Sequence, residues 1–424
     1  MSHLYNNKDK FLNYFNDISS KNKSYKIKAI PTDNLLKINN IIQCILKDNQ
    51  NIIVKGSRAL NKFVNNEIYN NDELIYVDYD LYSYNAKNDI IFIADQLFKN
   101  GFHEIYIRNT IYKENIYRLL YLTNTIIDIE LIQENINIPH INIDGINYVI
   151  PEFQKIDMYS QLGRPTLVNV NNWDKVLNRI NICNQFFPFI FNSNEPLHIN
   201  NSLTNDNHSD KINELNNNID IQDLVNIFDN DVVFTGNLAF SAIMYAKFIN
   251  DINSRFSPII NYLEVLIPAP HKYINKITEF YGSHRVNVQE MDNILYFYNK
   301  FYKIYIDGQI KIIIWRLDEC CNFFEINNVK YTDYYYLLFH YIFSNFFSYI
   351  ININDNSNNY NQLIIELFNT FKYPDPIIRC FGERNPGTKS LKNIFLTVDG
   401  LDKSKLFRYN PSSNINQNNN INHN

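Results

Sequence analysis

Tryptophan and glycine are scarce in this chain, at 2 and 10 of 424 residues, while asparagine, isoleucine, tyrosine and lysine are in excess. The favoured residues share codons rich in A and T, so the 31 tyrosines and 30 phenylalanines read as genome bias rather than as a base-stacking platform. A basic coat is also missing: the net charge is −5 and the pI near 6.0, so any contact with nucleic acid must be local. The five cysteines, Cys44, Cys183, Cys320, Cys321 and Cys380, show neither paired zinc spacing nor a secreted disulfide framework, which points to a reducing compartment. No apolar run approaches the ~18 residues of a membrane span, and residues 1–10 lack the apolar core of a signal peptide. A soluble, intracellular, globular protein is expected, with 45% hydrophobic content and length for two or three domains.

Two local patterns stand out against this background. The apolar strand Asn51-Ile52-Ile53-Val54-Lys55 runs into a sharp turn, Gly56-Ser57-Arg58-Ala59-Leu60. About twenty residues later comes a second strand-like segment, Tyr76-Val77-Asp78-Tyr79-Asp80-Leu81. Alternation along a strand would put Asp78 and Asp80 on one face, roughly 6 to 7 Å apart. Two carboxylates so placed can hold divalent cations about 3.5 to 4 Å apart, the arrangement used for in-line displacement at phosphorus. Gly56 lets the backbone approach a phosphate, Ser57 can cap the following helix or donate to a phosphate oxygen, and Arg58 and Lys62 are placed to assist. For the Gly-Ser pair alone, a plain strand-to-helix turn is the simpler account.

A third carboxylate changes the balance. Within Thr125–Ile132 the pattern alternates from Ile127 to Leu131, so Asp128 and Glu130 share a face. Asp128 has apolar neighbours on both sides, and an unpaired buried charge there is costly unless it meets a cation. Elsewhere in this half, residues 90–100 have helical spacing and stop at Gly101, and 105–107 and 117–122 read as strands. Residues 151 to about 191 return to helix, carrying Tyr159, Arg164, Trp173, Lys175 and Arg179. An Asn-rich segment from 192 to 218 then reads as a linker or loop.

Beyond that segment the first half repeats. Val232–Phe240 echoes Ile52–Leu60, and Tyr262-Leu263-Glu264-Val265-Leu266 echoes Asp78-Tyr79-Asp80-Leu81-Tyr82. Gly282-Ser283-His284 parallels Gly101-Phe102-His103, and Lys311–Trp315 falls where Thr125–Ile129 fell. On this alignment Asp78 becomes Tyr262 and Asp128 becomes Ile314, leaving only Glu264, so the second copy should be catalytically dead. His103 and His284 read as turn residues retained from the duplication. The tail from 352 is again Asn-rich; Arg379, Arg384, Lys389 and Lys392 form a basic stretch best taken as a solvated loop, and 412–424 has a disordered composition.

The set Lys55-Gly56-Ser57, Val77-Asp78-Tyr79-Asp80 and Ile127-Asp128-Ile129 resembles the nucleotidyltransferase superfamily that includes DNA polymerase beta. With the helical Trp173 region and a degenerate second copy, residues 40 to 350 look like the poly(A) polymerase catalytic subunit of large cytoplasmic DNA viruses, the poxvirus and mimivirus-like group. One departure is the gap from Gly56 to Asp78, shorter in many superfamily members.

The resemblance implies an α+β nucleotidyltransferase (polymerase-beta-like) fold, duplicated with a degenerate second copy. It divides the chain into a catalytic domain (1–192), a linker (193–220), a degenerate domain (221–351) and a C-terminal extension (352–424). It also implies that Asp78, Asp80 and Asp128 are catalytic and bind Mg2+ or Mn2+, and that Gly56, Ser57, Arg58 and Lys62 hold the nucleotide. AMP would pass from ATP to the 3′ hydroxyl of RNA with release of pyrophosphate, in the host cytoplasm or virion. A homodimer or accessory processivity subunit, and no membrane, are the expected associations. Glu130 competes with Asp128 for the third position; the family pattern and the shorter side chain favour Asp128. Another terminal nucleotidyltransferase (uridylyl-, CCA- or small-molecule-adding) and a non-catalytic RNA-binding subunit are the competing readings.

Overall fold

The structure, a computed structural model, describes residues 30–109, 115–164, 173–189, 221–228, 232–247, 260–292, 294–295, 297–298, 300–317, 321–351, 360–371, 380–381 and 407–408. By contact the chain forms two compact units, one from the described residues within 11–155, 177–187 and 387–424, the other from those within 156–176 and 188–386. The expected boundaries near 192 and 352, the basic stretch 379–389 apart from the strand at 380–381, and the tail 412–424 lie outside the described residues.

The first unit opens with α1 (Thr32–Asp48), whose Ile38, Ile42, Ile45 and Leu46 recur at helical spacing and are buried. Then come β1 (Ile52–Lys55), α2 (Gly56–Phe63), α3 (Asn71–Leu74), β2 (Tyr79–Ser83), α4 (Ala86–Lys99), β3 (Ile105–Asn109), β4 (Ile116–Tyr121), β5 (Asn124–Leu131), β6 (His140–Ile143) and β7 (Ile146–Val149). Two helices follow in the chain, α5 (Pro151–Gly163) and α6 (Trp173–Phe186); residues 156–176 of them belong to the second unit and the rest to the first. The helix expected at 90–100 is α4; it buries Ile90, Ile93, Ala94 and Leu97 and stops before Gly101, at φ +92°.

The second unit runs through α7 (Ile221–Ile227), β8 (Val233–Thr235), α8 (Gly236–Lys247), β9 (Leu263–Ile267), α9 (Pro270–Tyr281), β10 (Val286–Met291), β11 (Phe301–Ile306), β12 (Gln309–Arg316), β13 (Cys321–Ile326), β14 (Val329–Thr332), α10 (Tyr334–Ile351), α11 (Tyr360–Phe371) and β15 (Cys380–Phe381). A last strand, β16 (Phe407–Arg408), belongs to the first unit. No helix among the described residues is long and apolar enough to cross a membrane.

The sheet orders are β16-β3-β4-β5-β2-β1-β7-β6 and β10-β11-β12-β9-β8-β14-β13-β15. Strands β3 to β7 with β1 and β2 in the first sheet match β10 to β14 with β8 and β9 in the second, in sequence order and position. Parallel and antiparallel pairings agree as well: β1/β7 and β2/β5 are parallel, as are β8/β14 and β9/β12. The duplication legible in the sequence is therefore an architectural one, and the fold is α+β.

The register corrects one correspondence. Asp80 pairs with Asp128, and Glu264 pairs with Ile313. A β-bulge leaves Ile126 of β5 unpaired opposite Leu119 and Leu120, and another leaves Lys311 of β12 unpaired opposite Ile304 and Tyr305, with Arg118 opposite Asp128 and Lys303 opposite Ile313. Ile313, not Ile314, thus stands in the place of Asp128. Ile314 joins Ile312 in the apolar core, as Ile127 and Ile129 do in the first sheet, so it faces away from the row that carries the acids.

The β6–β7 hairpin went unread in the sequence, although its turn, Asp144-Gly145 at φ +54° and +85°, is a strong two-residue hairpin signal. Its counterpart turns at Asn327-Asn328, φ +49° and +65°.

In the second unit Asp333 caps α10, accepting from the Tyr336 amide at 2.8 Å. Burial pushes its carboxyl up to about 7, although the Tyr336 amide pulls the other way. A raised folded-state pKa means stability that is full below the unfolded value and is lost as pH rises through about 7. The loss amounts to ~4 kcal/mol for about three pKa units. Thermal melts from pH 4 to 8 should show this decline, and Asp333→Asn, which retains the cap, should flatten it.

Candidate active site

The site is assembled where β1 hands over to α2. Lys55 is extended (φ −122°, ψ −170°), and Gly56 turns the chain at φ +66° straight into the helix. A Cβ on Gly56 would collide with Asp80 Oδ2 and stand 3.1 Å from the Asp80 Cβ and Cγ. Glycine is thus what allows the carboxylate of β2 to lie against the helix start. No side chain caps α2, so Ser57 lies inside its first turn, buried, and does not cap as expected. The first amides of α2 keep the favourable dipole of a helix start.

Asp80 is paired with Lys55 on one side and Asp128 on the other, and Asp128 with Arg118. One row across β1, β2, β5 and β4 therefore reads Lys55, Asp80, Asp128, Arg118. Asp78 precedes β2 rather than lying in the expected strand 76–81. The reason is Arg58. Its Nε donates to Val77 O (2.9 Å) and Asp78 O (3.1 Å), and its Nη2 to Val77 O (2.5 Å) and Asn39 Oδ1 (3.0 Å). The guanidinium also lies 3.7 Å from the centre of the Tyr79 ring. Carbonyls held by Arg58 do not enter the ladder, so pairing starts at Tyr79.

Arg58 is 7% exposed, and burial lowers its pKa despite the acids around it. It fixes the segment that carries Asp78, where a nucleotide contact was expected. Lys62 is exposed about 9 Å along the helix axis from Gly56, so it is not brought to the carboxylates.

Asp128 is not the unpartnered acid inferred from its apolar neighbours. Arg118 grips it with a two-pronged fork, Nε to Oδ1 at 2.7 Å and Nη2 to Oδ2 at 2.5 Å. Burial alone would lower the pKa of Arg118, but that fork and the fields of Asp78 and Asp80 raise it. Asp78 is pushed up, first by desolvation and then by the charge of Asp128, against the opposing pull of Arg118 and Arg58. Glu130 is 2% exposed and held by Lys55 at 2.5 Å, with that ammonium also 4.0 Å from the Tyr82 ring. Among the described residues no three His, Cys, Asp or Glu side chains stand close enough to form a ready metal cluster.

The long gap before Asp78 is ordered. Asn61 accepts from the amides of Ile68 (3.2 Å) and Tyr69 (2.9 Å) and donates to Tyr69 O (3.1 Å). Arg179 of α6 donates to Tyr69 Oη at 2.8 Å, and Asn70 with Glu73 forms a capping box on α3. Sequence reading missed Arg118 and the roles of Arg58 and Asn61. The arginine one hairpin before Asp128 was a usable signal, but the bulge that aligns the two residues was not.

Residues 40–167 match the family described as "Poly(A) polymerase catalytic subunit". That match spans 128 of the 424 residues. Among solved structures the chain is similar to the Megavirus polyadenylate synthase, with TM-score 0.69 and 18% identity over 90% of this chain and 81% of that one. At that identity the likeness establishes the shared fold. No curated protein sequence matches the chain. The matched segment spans α2, the Asp78–Asp80 region and Asp128, so the carboxylate row lies inside it.

In the second sheet the corresponding row is Thr235, Glu264, Ile313, Lys303. Gly236 turns at φ +62°, and a Cβ there would stand 3.3 Å from the Glu264 Cβ. Glu264 is buried and accepts from Trp315 Nε1 (3.2 Å) and His340 Nε2 (3.0 Å); His340 Nδ1 lies 2.8 Å from Tyr298 Oη. That carboxylate is absorbed into an internal hydrogen-bond network.

Proposed function

We propose that the first unit transfers AMP from ATP to the 3′ hydroxyl of RNA, extending it without a template and releasing pyrophosphate. The observation that carries this reading is the seat of Asp80 against the Gly56 turn, with Asp78 and Asp128 close enough for the charge of Asp128 to raise the pKa of Asp78. Like charges gathered beside an uncapped helix start favour cations between the acids and a phosphate on the amides. Asp78 and Asp80 would hold a pair of Mg2+ or Mn2+ ions, joined by Asp128 once Arg118 yields part of its fork. Such ions supply activation of the attacking hydroxyl and neutralisation of charge on the leaving pyrophosphate.

The other roles belong to the chain itself. Gly56, Ser57 and the first amides of α2 receive the triphosphate. Arg58 keeps Asp78 at the mouth of β2, and Arg118 sets the direction of Asp128 beside the hydroxyl. Lys55 neutralises Glu130, which leaves Asp128 as the third acid.

The test is extension of an RNA primer with each nucleotide supplied separately, with Asp128→Asn and Glu130→Gln run alongside. Elongation with ATP is expected, with Asp128→Asn lower by about a hundred-fold or more and Glu130→Gln within about tenfold of the parent. Extension by UTP or CTP in preference to ATP would move the protein to another terminal nucleotidyltransferase class. Loss confined to Glu130→Gln would overturn the choice of third acid.

A further inference from the structure

An exposed aromatic ring stands beside the carboxylates. Tyr76, two residues before Asp78, is 63% exposed, the most exposed of the large apolar side chains among the described residues. Among those residues no other ring or cation packs on it, and its hydroxyl shares a hydrogen bond of 3.0 Å with Thr32 Oγ1 at the start of α1. The backbone that carries the ring is held on both sides. The Tyr76 amide donates to Glu73 O (3.0 Å), Asn39 Nδ2 donates to Ile75 O (3.0 Å), and Arg58 donates to Val77 O and Asp78 O. Arg58 Nη2 in turn donates to Asn39 Oδ1 at 3.0 Å, which joins the two clamps.

Fixing a side chain costs conformational entropy, which a buried ring recovers by leaving water and an exposed ring does not. The hydroxyl bond is itself exposed and contributes little. The degenerate copy shows what this position becomes where the acids are missing. Lys55 pairs with Asp80 and Thr235 with Glu264, so Tyr76 corresponds to Ile260, four residues before Glu264. Ile260 packs against the apolar core of its sheet, and Tyr262, in the place of Asp78, is 9% exposed. Ring and acid are exposed together in one copy, and their counterparts turn to the core in the other.

We propose that Tyr76 is a stacking platform for a nucleobase at the reaction centre, either the base of the incoming nucleotide or that of the primer's 3′ end. The identity of the ligand rests on the nucleotide transfer proposed above. Two residues span at most ~7 Å, so a base whose ribose or phosphate meets a cation at Asp78 can reach the ring. Every base has a π-face, so the ring supplies affinity and position without choosing among bases. Because it is already fixed, it loses little freedom when a base settles on it.

The test is the fluorescence of Tyr76→Trp, read as the difference from the parent with its two tryptophans. The ligands, with Mg2+, are α,β-methylene ATP, a single-stranded oligoadenylate RNA ending in a 3′-deoxynucleotide, the same RNA with an abasic 3′ end, and inorganic tripolyphosphate. The new emission should be quenched by the ATP analogue if the incoming base stacks, or by the intact RNA if the terminal base does, and by neither base-free ligand. For the ligand that quenches, Tyr76→Ala should weaken binding about tenfold. Tyr76→Phe, which keeps the ring and loses the Thr32 contact, should bind within about threefold of the parent. Quenching by neither base-bearing ligand, or equal quenching by the base-free ones, overturns the proposal, as does a loss in Tyr76→Phe as large as in Tyr76→Ala. If Tyr76→Trp does not fold, the affinities of the alanine and phenylalanine variants decide. None of these ligands can be extended or consumed, so a parent that extends no primer counts against the polymerase reading and leaves these readouts untouched.

Discussion

Replacing Asp80 or Asp78 with asparagine should lower nucleotide addition to an RNA primer by about a thousand-fold or more, while the metal-free Asp78→Asn protein melts no lower than the parent. The rate effect follows from removing an acid that would bind a cation at the reacting phosphate, a contribution of several kcal/mol. The stability effect follows from the direction of the Asp78 shift. Its pKa is raised in the folded state by desolvation and by Asp128. Such a group stabilises the fold fully only below its unfolded pKa and loses that contribution as pH rises through the folded value. Ionising this carboxylate is therefore a burden on the metal-free fold, which asparagine removes. Mg2+ should accordingly raise the melting temperature of the parent and leave that of Asp78→Asn nearly unmoved. A variant that lost activity only because it unfolded would contradict this account.

The second large effect is expected for Gly56→Ala. At φ +66° any side chain is strained, by ~1–2 kcal/mol. The new methyl would also meet the Asp80 carboxylate, so Asp80 must leave its seat or the turn must open. Either shift displaces the acid relative to the helix start, and activity should fall by about a hundred-fold with a melting temperature several degrees lower. Gly236→Ala provides the contrast. It has the same backbone strain and presses on Glu264, so it should cost comparable stability while activity per folded molecule is kept. Primer extension normalised to folded protein, measured with thermal melts, separates the two.

These contrasts follow from how much of the molecule could be read from its residues. Gly56, Asp80 and Asp128 were legible because strand alternation and a glycine turn are local features. So was the duplication, since four segments recur in order. Asp78 was placed inside a strand because alternation continues through Val77; the structure ends the ladder at Tyr79 because the Arg58 side chain, twenty residues earlier, takes the carbonyls. The ion pair on Asp128 and the identity of Ile313 as its counterpart both depend on a bulge, which shifts register by one residue without a composition signal. Long-range side-chain to backbone bonds and single-residue register shifts are what periodicity does not encode.

The proposed function requires that the duplicated fold has one working centre, at Gly56, Asp78, Asp80 and Asp128. Asp80→Asn and Glu264→Gln alter equivalent positions in the two sheets. Primer extension with ATP and Mg2+, normalised to folded protein, should be abolished in Asp80→Asn and retained in Glu264→Gln. Retained activity in Asp80→Asn, or its loss in a well-folded Glu264→Gln, would contradict the claim.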